Sequence, residues 1–169
     1  MPSKTQSIVL GAAVAAVLSL VQVFLASQGG TTGQYLSSVF CCLVAVAGAG
    51  TAVWHYATTN RLTLPAGTGA GLGAGAAALG GVIAYVIGEL LQLIGLLPSD
   101  AEAIEQARRQ MADQGMDPAM IDSSMQMAES MTGIVGGLVN VAILAVLGAV
   151  VGAIAASVFK KGEAEDYEV

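Results

Sequence analysis

Four apolar runs, each long enough to cross a bilayer, constrain this 169-residue chain more than any other feature. A helix needs about 20 mostly apolar residues to span a hydrocarbon core of about 30 Å, because each residue adds about 1.5 Å. The runs fall at about 8–26, 36–57, 73–97 and 133–159. An open sheet in lipid would leave its edge groups unpaired. The runs are also too long, and alternate too little, for barrel strands. They therefore predict an all-α polytopic membrane protein, a bundle of four transmembrane helices forming one membrane domain over 1–169. The first run is too long for the apolar core of a signal peptide and has only Lys4 before it, so it reads as a retained span.

Charge supports this class. Only 11% of residues are charged, against about 25% in a soluble domain. Of the twelve acids, seven lie between Asp100 and Glu129 and four between Glu163 and Glu168. The net charge of −6 thus belongs to two water-exposed segments, 99–131 and an acidic tail at 160–169. No basic patch exists to meet phosphates, so no nucleic-acid partner is expected.

Orientation follows from the loop cations. Lys4, Arg61, Lys160 and Lys161 fall on one side, and Arg108 and Arg109 on the other. Both termini are then cytoplasmic and the segment between spans 3 and 4 is external. Trp54 and Tyr56 close span 2, where amphipathic aromatics collect at the interface. His55 between them is the sole histidine and reads as interfacial. The adjacent Cys41 and Cys42 match neither a disulfide framework nor a metal spacing and read as small apolar residues. Neither a metal nor a cofactor is called for.

The external segment carries helix signals. Ser99 and Glu102 form a capping box, and Gly115 should end that helix. Asp117 then caps a second helix with Pro118 at its first position, and that helix is expected to continue into span 4. Ile121, Met125 and Ala128 mark one helical stripe, and Met120, Met127 and Met131 another. The pattern reads as an external amphipathic hairpin using methionine as an adaptable filler against bundle or lipid. Thioether ligation of Cu(I) is the competing reading, without a His or Cys in the segment to strengthen it.

Glycine is dense where span 3 begins, from Gly67 to Gly75. A phosphate-binding loop would need a preceding strand and a following Lys-Ser/Thr, and neither is present. Small residues instead permit close helix approach in lipid. Gly73, Gly81 and Gly88 on span 3, with Gly148 and Gly152 on span 4, are the expected packing positions, within the bundle or between protomers.

Span 3 also carries one acid. A carboxyl group at membrane depth marks a functional site or a specific polar partner. Glu89 lies eight residues before Leu97, about 12 Å inside that end. Gly81, Tyr85, Gly88, Glu89 and Gln92 share one helical face. Gln22 on span 1 and Asn140 on span 4 lie near the same level. Gln22, Glu89, Gln92 and Asn140 are therefore expected to form an outer-leaflet polar cluster, either fixing helix register or holding an ion or proton.

Trp54-His55-Tyr56, the glycine-rich entry to span 3, the segment from Gln106 to Gly115, the glycine-rich span 4 and Lys160-Lys161 together resemble a family of uncharacterised bacterial four-helix membrane proteins, a domain of unknown function. The resemblance implies a bacterial cytoplasmic membrane and brings neither activity nor site residues. One histidine and one intramembrane acid do not assemble a nucleophile–base set, so no enzyme is expected. The leading expectation is a structural or accessory subunit, whose partners are the lipid bilayer and a second membrane protein or another copy of itself. The alternative is a small transporter or channel using the cluster around Glu89.

Overall fold

A computed structural model describes residues 3–27, 30–130 and 133–159, with side chains described outside 26–42. Six helices make up the regular structure of the described residues: α1 (Lys4–Ser27), α2 (Gly30–Asn60), α3 (Ala66–Leu93), α4 (Asp100–Asp113), α5 (Pro118–Ser130) and α6 (Gly133–Val158). Helices α1, α2, α3 and α6 pack side by side. Helix α3 touches the other three, and its most extensive contact is with α6.

Three helices, not four, are long and apolar enough to cross a membrane among the described residues: α1, α3 and α6. The second expected span, 36–57, falls within α2. Its first third, 36–42, lies where side chains are outside the described residues, and with it Cys41 and Cys42. The remainder, from Leu43 to Asn60, ends in Thr51, His55, Thr58, Thr59 and Asn60, which is too short and too polar to span alone.

Glycine decides how closely the long helices approach. A Cβ placed on Gly73 would strike the backbone carbonyl of Gly148, and one on Gly152 would strike the carbonyl of Gly69. A Cβ on Gly148 would stand 2.5 Å from both the Gly73 carbonyl oxygen and the Ala77 Cβ. Here α3 and α6 meet backbone to backbone. Helices α1 and α2 meet in the same way, a Cβ on Gly11 coming within 2.5 Å of the Gly48 carbonyl oxygen. Gly81 packs more loosely, its would-be Cβ lying 3.1 Å from Leu144. Gly88 departs from the expectation, since nothing lies within 4 Å of where its Cβ would be.

The half of the molecule holding the start of α1 and the end of α2 is closed. Val53, Tyr56, Ala57, Leu64, Leu72, Ala155 and Ala156 are buried there, with Ile8, Leu62 and Phe159 against them. The α2–α3 connection folds into this core. Arg61 takes a left-handed conformation (φ 54°), which ends α2. The Leu62 N–H then donates to the Ala57 carbonyl at 3.0 Å, turning Leu62 and Leu64 inward. Ser7 and His55 form a hydrogen bond at 2.9 Å between Oγ and Nδ1. This polar link between α1 and α2 has no counterpart in the sequence reading, which placed His55 at the interface alone.

Helix α3 stops four residues earlier than expected. The Gly95 N–H donates to the Gln92 carbonyl at 3.0 Å and the Leu96 N–H to the Leu91 carbonyl at 2.9 Å. Gly95 has φ +72°. These are the two bonds of a Schellman motif, which needs a left-handed residue at its turn. Gly115 (φ +74°) ends α4 with the equivalent pair, to Ala112 and Met111. Gly133 also has a left-handed φ of +68°, so α6 does not continue α5 as one helix.

The α4–α5 hairpin packs chiefly on itself. Ile121 and Met125 are buried, while Met120 and Met127 are 58% and 70% exposed. The first sequence stripe is therefore the inner one, and the second faces outward. Met131 lies outside the described residues. Arg108 and Asp122 join α4 to α5 at 3.5 Å, both exposed. Such surface pairs contribute about 1 kcal/mol at most, so the buried apolar pair holds the hairpin.

The capping box starts α4: the Ser99 N–H donates to Glu102 Oε2 at 2.8 Å, and the Glu102 N–H to Ser99 Oγ at 3.4 Å. The Ser99 backbone bond, then its hydroxyl, hold the Glu102 carboxyl below its ordinary range. A carboxyl depressed in the folded state stabilises above its unfolded pKa and loses that stability as pH falls through the folded value. Protection of the first-turn amides of α4, taken relative to their intrinsic exchange rates at each pH, should therefore fall as pH drops below the ordinary carboxylate range, and Glu102→Gln should flatten that dependence.

Candidate functional site: a polar cavity at the hairpin end

Away from the closed core, the helices leave a cavity of about 450 Å³. Its described walls come from α1 (Ser19, Gln22, Val23), α3 (Gly81 to Gln92) and α6 (Gly133 to Leu144), with Val44 of α2 and with Leu97 and Asp100 at the hairpin. Gln22, Glu89, Gln92 and Asn140 all line it. The helical face of Gly81, Tyr85, Gly88, Glu89 and Gln92 forms the α3 wall. Gly88 has no helix neighbour because it faces this space.

Two features differ from the sequence expectation. Because α3 ends at Leu93, Glu89 sits about 6 Å from the helix terminus at 1.5 Å per residue, nearer the end than expected, and it is exposed. The cavity also holds two polar residues outside the expected four, Tyr85 and Asp100. The Tyr85 phenol stands beside the Glu89 carboxyl, close enough for the two to interact. Its ring lies against Gly137, where a Cβ would stand 2.7 Å from Cε2. Gln92 Nε2 donates to Asp100 Oδ1 at 3.3 Å, tying the end of α3 to the start of α4. Tyr85 was legible as part of the Glu89 face. Asp100 was not, because only the turn at Gly95 folds it back over the end of α3.

The wall thus presents two carboxylates, three amides, a phenol and a hydroxyl among apolar side chains. No Lys, Arg or His lines it among the described residues. Arg109 instead pairs with Glu105 at 3.0 Å on α4. The arrangement can bind and orient a ligand.

A second hollow of about 430 Å³ lies between α2 and α6. It is lined by Val46, Ala47, Gly50, Val151, Ile154 and Val158 among others, with the half-exposed Trp54 at its edge. Nothing lies within 4 Å of where a Gly50 Cβ would be.

Set against protein-family models, curated proteins and solved structures, the chain finds no match in any of the three.

Proposed function

We propose that the chain is a four-span integral protein of a bacterial cytoplasmic membrane, with both termini cytoplasmic and the α4–α5 hairpin outside. In this reading it acts without catalysis, as an accessory subunit packed against another membrane protein. The observation that carries it is the groove between α2 and α6. That groove is apolar and open, and it has glycine where a neighbouring backbone would have to approach. In lipid, helices associate through such small-residue surfaces rather than through hydrophobicity as such. A transmembrane helix of a partner fits this chemistry. The loop cations support the orientation.

Isolation from native membranes in mild detergent, followed by mass spectrometry, should recover a stoichiometric membrane protein. Gly50→Leu places its Cβ where nothing lies within 4 Å and projects into the groove, so it should remove that protein while leaving the chain folded. Equal recovery with Gly50→Leu rejects the groove as the contact. In the same cells, an impermeant thiol reagent should label a cysteine at position 113 and not one at 59, in a background lacking Cys41 and Cys42. The opposite pattern reverses the orientation.

The polar cavity favours a second reading, a small transporter or channel using the cluster around Glu89. The opposite end of the molecule is packed shut, so conduction would require α3 and α6 to separate. Ion flux in proteoliposomes, lost in Glu89→Gln, is its test.

A further inference from the structure

We propose that the cavity at the hairpin end binds a small organic cation, an amine or quaternary ammonium held by Glu89 with Asp100 at the rim. The inference goes beyond the accessory reading and requires only binding, not transport.

Size comes first. Ligand sites are concave spaces of about 300–1,000 Å³, mainly apolar, with a few convergent polar groups. A cavity of about 450 Å³ lies within that range. Its apolar lining includes Val23, Val44, Val141 and Leu144.

Charge selects the ligand. Glu89 and Asp100 are the formal charges on the described wall, and both are negative. The first turn of α6 adds partial positive charge at Gly133 and Gly136. A helix terminus amounts to about half an elementary charge, so it does not offset two carboxylates. The end of α3, close to Glu89, contributes partial negative charge. An anion would therefore meet net repulsion here, and a cation attraction.

The remaining groups favour an organic ion over a bare metal ion. The Tyr85 ring is part of the wall, and aromatic rings attract alkylammonium groups through their quadrupole. The Tyr85 phenol stands beside the Glu89 carboxyl, and Gln92 Nε2 donates to Asp100. Neither carboxyl has a Lys or Arg beside it on the described wall. A tightly bound metal ion would instead need several oxygen ligands drawn to within about 2.6 Å of one point. Among the described residues, no group of three or more Asp, Glu, His or Cys comes together to hold a metal ion.

The test uses the full chain in dodecyl maltoside, which carries no ammonium group, and titrates it calorimetrically with choline. The comparison ligand is 3,3-dimethyl-1-butanol, which has the same shape without the charge. Choline should bind saturably. The alcohol should bind at least about tenfold more weakly, the order expected for losing a charge-assisted contact. Glu89→Gln should weaken choline by at least about tenfold with an unchanged melting temperature. Gly88→Leu is a second variant, placed where nothing lies within 4 Å. It should fill the cavity and abolish choline binding, which keeps the test decisive should Glu89→Gln fail to fold. Equal binding of choline and the alcohol overturns the proposal. So does undiminished binding in either folded variant, the absence of saturable heat up to about 10 mM choline, or displacement of choline by equimolar sodium.

Discussion

Gly73→Ala should destabilise the protein, while Gly71→Ala, two residues away on the same helix, should stabilise it. A Cβ at position 73 meets the Gly148 carbonyl and Gly152 Cα, which are backbone atoms that cannot rotate aside. Overpacking a well-filled contact costs about 1–3 kcal/mol. With backbone on both sides of the contact, the upper end applies, and Gly73→Val should exceed it. At Gly71 nothing lies within 4 Å. There the backbone-entropy gain of alanine over glycine in a helix, about 0.5–1 kcal/mol, is not opposed. Denaturant titration in detergent micelles, read by circular dichroism, should move the two midpoints in opposite directions. Equal shifts for the two variants would show that α3 and α6 do not cross at these glycines.

Ile121→Ala combined with Met125→Ala should unfold the α4–α5 hairpin and leave the long helices intact. Deleting a buried Ile or Met side chain to alanine costs about 2–5 kcal/mol. Helices of fourteen and thirteen residues are marginal alone in water. The hairpin packs chiefly on itself, so nothing in the bundle compensates for the lost pair. Hydrogen exchange should show protection lost across 100–130, with α3 and α6 unchanged. Loss of protection in the long helices as well would mean that the hairpin and the bundle unfold as one unit. Met120→Ala with Met127→Ala is the control, and it should change little because both side chains are exposed.

These contrasts mark where sequence and structure divide the information. Apolar length alone determined that α1, α3 and α6 are helical, because backbone groups in lipid must be satisfied within their own segment. Local chemistry determined the ends of α4 and the start of α5. Ser99, Glu102, Gly115 and Asp117 act within a few residues of themselves; Asp117, for instance, accepts from the Ala119 N–H at 2.8 Å. Gly95 carried the same kind of signal as Gly115, but it sat inside an apolar run, and the run length outweighed it. Periodicity placed Glu89, Gln92, Tyr85 and Gly81 on one face for the same local reason, a helix repeating every 3.6 residues.

Which face meets which was left to the tertiary structure. Gly73 and Gly88 look alike in sequence. One lies against the backbone of α6, and the other faces the cavity, because the long helices touch at one end and part at the other. The two methionine stripes of α5 are likewise similar in composition, and only the packing on α4 separates the buried Met125 from the exposed Met127. The Ser7–His55 hydrogen bond spans 48 residues, and Asp100 reaches the cavity only because a left-handed glycine turns the chain back. Sequence periodicity fixes directions within one helix. The distances between helices arise from close packing of all four at once, which no single segment encodes.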